Sequence, residues 1–222
     1  MKKPSIGVHN FPNVSRAAGP ARSDISNPKN VAIATVADVM DLTDENRIFV
    51  KRGLRRLTNS TNLGINALKK ALGLDGKPIE VHHLSFRIGP SLNSTGRLES
   101  AKEGVELLLT DDPARAESLA QDMAKLNELR KEMTDRGVRA ATDWVRKDIR
   151  MIPTEDGVKE KKIGDDKVIV LYMPGIHESI AGLIASKLKE AFYRPTLVFT
   201  DAENGQGLKG SGRSIETYNM FD

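Results

Sequence analysis

The sequence predicts an α/β fold, and three observations carry that expectation. An apolar, β-branched run at Val31–Val39 is followed by two amphipathic helical segments. Helical periodicity then runs from Pro113 to about Arg150, a length that suits a connector between two lobes better than part of one core. Beyond it the pattern returns to strand, helix, strand, which closes most simply as a parallel pair with a right-handed crossover.

Residues 1–30 mix Pro, Gly, Ser, Asn and Arg without apolar periodicity and read as a basic, disordered leader. Val31–Val39 suits a buried strand. Thr43 caps the next helix, whose first turn holds Asp44 and Glu45 at the positive end of the helix dipole. Ile48, Phe49, Leu54 and Leu57 supply its apolar face, with the basic residues of 51–56 mostly opposite. A short helix over Asn62–Leu72 shows Ile65, Leu68 and Leu72 at helical spacing. In the long helix Leu119, Met123, Leu126, Met133, Val138, Ala141, Val145 and Ile149 form the stripe, with a bend expected at Gly137. The polar stretch 153–166 reads as a flexible linker. Lys167–Tyr172 is a strand, His177–Phe192 a helix with Ile180, Leu183, Ile184, Leu188 and Ala191 on one stripe, and Thr196–Thr200 the next strand.

Composition removes several classes of function. With no cysteine there is no disulfide framework, thiolate metal site or cysteine nucleophile. Pro4, His9, Asn10 and Pro12 break up the segment after Lys2 and Lys3, so no signal peptide is expected, and no apolar run is long enough to cross a bilayer. The expectation is a cytoplasmic protein with no membrane partner. Residues 1–30 hold five basic residues and one acid, which accounts for the whole formal charge of +4, while the remaining residues carry 29 of each sign. Net charge therefore says little about the partners of the folded part.

Two glycine-rich segments are the strongest local candidates for a phosphate site. Gly205, Gly207 and Gly210 match G-x-G-x-x-G after a strand, but no helical stripe follows them, so a dinucleotide fingerprint is not supported. Gly210–Ser214 instead reads as a loop in which small residues expose backbone N–H groups while Ser211, Ser214 and Arg213 converge on an anion, with a plain turn as the alternative. Gly89–Leu98 has the same chemistry, with Asn93, three hydroxyls and Arg97 ahead of a helix starting near Ala101, or else forms an ordinary helix cap. His82 and His83 are adjacent on an extended segment and so face opposite ways, which argues against a metal pair. His177 follows Pro174-Gly175 at a helix start, where it either contacts an anion or caps the helix. Asp38 leaves the apolar strand at the edge where active sites of α/β sheets gather, although one carboxylate does not make a metal centre.

Five segments in one order resemble the RecJ family of single-strand-specific exonucleases, within the DHH phosphoesterases: ATVADVMDLTDENRIFVKRGL at 34–54, FRIGPSLNSTGRLESA at 86–101, LAQDMAKLNELRKEM at 119–133, IHESIAGLIASKLKE at 176–190 and LKGSGRS at 208–214. The resemblance implies the remainder of a DHH lobe at 31–110, a connecting helix at 111–152 and part of a DHH-associated lobe at 153–222, behind the leader at 1–30. It also implies two Mn2+ or Mg2+ ions that activate water against a phosphodiester of single-stranded DNA, in DNA repair and recombination. Asp38 matches a metal-binding aspartate and catalytic residue. Asn93 and Arg97 match an element facing the substrate, Ser211, Arg213 and Ser214 a phosphate-gripping loop, and His177 a substrate-side position. Residues 1–37 hold no Asp-x-Asp and no Asp-His-His motif, which the family keeps ahead of this aspartate. The expectation is therefore an internal portion of such a nuclease, inactive alone unless a separate chain supplies the missing motifs. Two other readings stay open: a non-catalytic module that binds single-stranded nucleic acid, and a DHH phosphoesterase acting on short oligonucleotides.

Overall fold

The computed structural model describes residues 28–98, 101–155, 157–218 and 220, so the leader lies almost wholly outside the described residues. The chain opens on α1 (Pro28–Ala37), where a strand was expected. Buried Ala32, Ile33 and Val36 follow helical spacing, and Ala32, Ala34 and Ala37 favour helix. A short apolar run does not by its pattern distinguish a buried strand from a buried helix. α2 (Asp44–Thr58) crosses α1 closely, because a Cβ on Gly53 would lie 2.3 Å from the Ala32 Cβ. α2 buries Val50, Gly53 and Leu57 and leaves Ile48 and Phe49 exposed, so its apolar face is rotated from the one expected. Thr43 occupies the N-cap position, but its hydroxyl makes no capping bond. α3 (Leu63–Ala71) is capped by Asn62, whose side chain accepts the Ile65 N–H at 2.9 Å.

Lys69 on α3 is 6% exposed and donates to the carbonyls of Leu57 (3.1 Å) and Thr58 (2.9 Å), closing the C-terminal end of α2. Lys69→Met keeps the stem but leaves both carbonyls without this donor. It should cost about 2 kcal/mol in urea unfolding, because hydrogen bonds to a charged group exceed neutral ones.

A short helical turn, α4 (Val81–His83), leads through a π-helical turn at Leu84–Ile88 into α5 (Gly89–Leu98). The histidine pair is thus helical rather than extended, with ring centroids 3.9 Å apart. His83 Nδ1 accepts the Glu80 N–H in a capping box, and His82 Nδ1 lies 3.2 Å from the Glu80 carboxylate. α6 (Ala101–Leu109) follows, and then α7 (Pro113–Lys147), with Asp112 as its N-cap. Leu119, Ala120 and Met123 of α7 complete the core built by α1–α6, and Ala141 and Val145 belong to a second core further along the same helix. One helix therefore joins two hydrophobic clusters. Gly137 is buried in continuous helix, where a Cβ would come within 2.5 Å of Ile184 Cδ1. Its role here is to let α8 approach closely.

The stretch expected to be a linker is an antiparallel hairpin, β1 (Ile149–Thr154) with β2 (Gly157–Lys162). Gly157, paired with Thr154 at the closed end of the hairpin, takes φ 126°. The second core packs around a three-stranded sheet in the order β3 (Ile169–Tyr172), β4 (Thr196–Asp201), β5 (Leu208–Arg213). β3 and β4 run parallel, joined through α8 (Glu178–Phe192), as the strand–helix–strand pattern required. β5 is antiparallel to β4, pairing Thr196 with Arg213 and Asp201 with Leu208.

Candidate nucleic-acid interface

Asp38 closes α1 instead of leaving a strand. The N–H of Val39 reaches the Val36 carbonyl (3.2 Å) and that of Met40 the Thr35 carbonyl (3.0 Å), the bonding pattern of a Schellman cap with Asp38 as the C-cap. Val39 takes the left-handed position at φ 54°, where glycine is usual, so a β-branched residue is strained beside Asp38. The Asp38 side chain is exposed. Ala37 in turn approaches the start of α5, since a Cβ on Gly89 would lie 3.1 Å from the Ala37 Cβ. Asn93 is exposed one turn further along the same face of α5 as Gly89.

Residues 89–98 form a helix where a loop or helix cap was expected, and the hydroxyls of Ser91 and Ser94 are taken up by backbone carbonyls. Ser91 and Ser94 are fully buried, donating to the carbonyls of Arg87 (2.8 Å) and Ser91 (2.6 Å) respectively, on the side of α5 that faces α7. Arg97 lies on α5 four residues after Asn93; its side chain is outside the described residues.

Gly210–Arg213 is strand rather than loop, and its glycines serve packing. A Cβ on Gly210 would lie 2.5 Å from the Phe199 ring, and α8 approaches the alternate residues of β5 on the other face. Strand residues two apart advance about 6.7 Å and helix residues four apart about 6 Å, so the two elements keep step. Lys209 meets Glu178, Ser211 lies over Gly182, and Arg213 meets Ser186. Arg213 Nε donates to Ser186 Oγ at 3.1 Å, and one terminal nitrogen donates to Ser211 Oγ (3.1 Å) and the Gly212 carbonyl (2.7 Å). Among the described residues no carboxylate pairs with this guanidinium, whereas Lys70, Arg115, Lys131, Lys147, Lys161, Lys187 and Lys209 each hold one. Ser214 is turned to its own chain, donating to the carbonyls of Ile215 and Tyr218.

His177 stands apart from this cluster. β4 spans five residue steps, roughly 17 Å, between the Thr196–Arg213 end and the Asp201–Leu208 end, and His177 belongs to the latter. There it is the N-cap of α8, with Nδ1 accepting the Ser179 N–H at 3.2 Å and Nε2 2.8 Å from the Glu203 carboxylate. The capping alternative is thus the geometry observed. The neighbouring Glu178 carboxyl is held below its ordinary value of 4.5 by the hydrogen bond from the Lys209 ammonium, assisted by the Glu203 N–H. A lowered carboxyl pKa adds stability that is present above 4.5 and lost as pH falls through the folded value. Glu178→Gln should therefore flatten the acid side of a melting-temperature profile while leaving its neutral side sloped as in the parent.

Among the described residues no group of three or more His, Asp or Glu side chains is placed to hold a metal ion. Hard divalent cations take about six ligands. Asp38 by itself does not fit a Mn2+ or Mg2+ centre. No helix among the described residues is long and apolar enough to cross a membrane.

No family model matches the chain. Over 191 residues it is 35% identical to the single-stranded-DNA-specific exonuclease RecJ of Bacillus subtilis (strain 168), covering 86% of this chain and 22% of that protein. Against the Escherichia coli (strain K12) protein of the same name it is 36% identical over 193 residues, covering 86% and 32%. The crystal structure of RecJ in complex with Mg2+ from Thermus thermophilus shares the fold with a TM-score of 0.69 at 31% identity, over 87% of this chain and 27% of that one. Exonuclease RecJ bound to manganese gives 0.68 at 30% identity, over 87% and 44%. The chain spans between about a fifth and a third of the length of these curated relatives. Over most of its length, in sequence and in fold, the chain is similar to one part of the single-stranded-DNA-specific exonucleases named RecJ.

Proposed function

We propose that this chain is the substrate-holding portion of a single-stranded-DNA exonuclease: its α8–β5 seam grips the sugar–phosphate backbone, and the chain alone does not cleave it. In this reading residues 31–110 belong to the DHH lobe, α7 is the connector, and 153–222 belong to the DHH-associated lobe. The observation that carries the proposal is Arg213. Two serine hydroxyls and a carbonyl pre-orient its guanidinium, and no acidic partner among the described residues neutralises it. A fixed, unpaired guanidinium beside a hydroxyl is the arrangement that reads a phosphate oxygen pair. Asn93 and Arg97 on α5 supply a second substrate-side contact, and Asp38 offers one carboxylate to a metal centre whose other ligands a separate chain would supply. His177 acts at the far end of the sheet by fixing the start of α8.

Hydrolysis by the chain alone is not part of this function, because among the described residues no group of three or more His, Asp or Glu side chains stands ready to hold a metal ion. Arg213→Ala should weaken the binding of a labelled single-stranded oligonucleotide about tenfold and lower the slope of log K against log salt by about 0.7, the value for one phosphate contact on a single strand. Unchanged affinity with an unchanged slope would remove Arg213 from the interface.

A further inference from the structure

We propose that the groove between α7 and the loop after β3 is a nucleobase site, in which one base of a bound strand stacks on Trp144 while Arg136 meets the phosphate attached to it. The proposal rests on the single-strand reading above and adds a place for a base to that reading's phosphate contacts. The groove encloses about 440 Å³, within the range of about 300–1,000 Å³ usual for small-ligand sites. One wall is the α7 face that carries Arg136, Gly137 and Trp144. The other is the loop Met173-Pro174-Gly175, where Gly175 takes φ 76° and no heavy atom lies within 4 Å of the place a Cβ would occupy.

Three features point to a flat, anionic-tailed ligand. Trp144 is 40% exposed although it is the largest apolar side chain of the protein, and its indole makes no hydrogen bond with a described residue. Arg136 lies two turns away on the same face of α7, with no carboxylate partner among the described residues. Its neighbours on that helix, Lys125, Lys131 and Lys147, are paired with Asp122, Glu128 and Asp143. Finally, the groove opens at the carboxyl end of β3, the leading strand of the parallel pair, where open α/β sheets place their ligands. A planar indole wall suits a planar heterocycle better than an alkyl chain, and a cation at the rim matches the charge of the attached phosphate.

Trp144 is the single tryptophan of the chain, so it reports on its own occupancy. A thymidine oligonucleotide of about ten residues, end-labelled, is titrated into the full chain while anisotropy follows binding anywhere and tryptophan emission follows this groove. The expected result is saturable quenching of Trp144 with the same midpoint as the anisotropy. Trp144→Leu should weaken binding about five- to tenfold, the loss of one stacked base. Arg136→Ala, an exposed change that leaves folding intact, should weaken binding severalfold and reduce the salt slope by about 0.7. If the oligonucleotide binds by anisotropy while emission is unchanged and Arg136→Ala binds as the parent does, the base site is wrong and the single-strand reading stands. If no binding is seen by anisotropy, that reading fails and the base site with it.

Discussion

Gly64→Ala should unfold the first core, lowering stability by about 3 kcal/mol in urea titration, near the upper end of overpacking costs. Gly64 lies in the first turn of α3 against the last turns of α6. A Cβ there would sit 1.8 Å from the Leu107 carbonyl oxygen and 2.7 Å from its carbon. Both atoms are backbone, so no side-chain rotation relieves the clash and the helices must separate. Leu107, Ile65 and Leu68, each nearly fully buried, would lose their packing together. A variant within 1 kcal/mol of the parent would show that the α3–α6 crossing is looser than described.

Gly182→Val should cut single-strand affinity about tenfold or more while costing roughly 1–2 kcal/mol of stability. The added Cβ would lie 2.8 Å from a terminal nitrogen of Arg213 and 2.8 Å from Ser211 Oγ. Those atoms are side-chain ends, which are able to swing away, so the fold persists and the phosphate grip does not. Oligonucleotide titration beside a melting curve separates the two effects. Parent-like affinity in a folded Gly182→Val chain would place the binding surface elsewhere.

The strand–helix–strand of the second cluster was legible because apolar period, length and turn residues agreed there, and His177 fell at the cap position its spacing allowed. The first cluster was harder for definite reasons. Val31–Val39 is as apolar as a buried strand, and only its alanines and its burial at Ala32, Ile33 and Val36 mark it as helix. Gly89-Pro90-Ser91 and Gly96 are poor helix formers, yet α5 forms because Ser91 and Ser94 spend their hydroxyls on backbone carbonyls and bury against α7. Gly210 and Gly212 look like loop residues because composition does not reveal that a ring and a helix press on the strand from opposite faces. For the site, Arg213 and Ser211 were visible in the sequence. Gly182 and Ser186, which position them, lie some thirty residues earlier, and only the step-for-step match of α8 with β5 identifies them. Trp144 and Arg136 lie off the apolar stripe of α7, so periodicity alone assigned them no role.

The central claim is that the chain holds single-stranded DNA without the means to cut it, and one paired assay tests this directly. The full chain is incubated with a 5′-phosphorylated single-stranded oligonucleotide, with and without Mn2+, following binding by anisotropy and products by chromatography. The account predicts salt-sensitive binding under both conditions and an intact oligonucleotide throughout. Release of mononucleotides in Mn2+, or no binding in either condition, would contradict it.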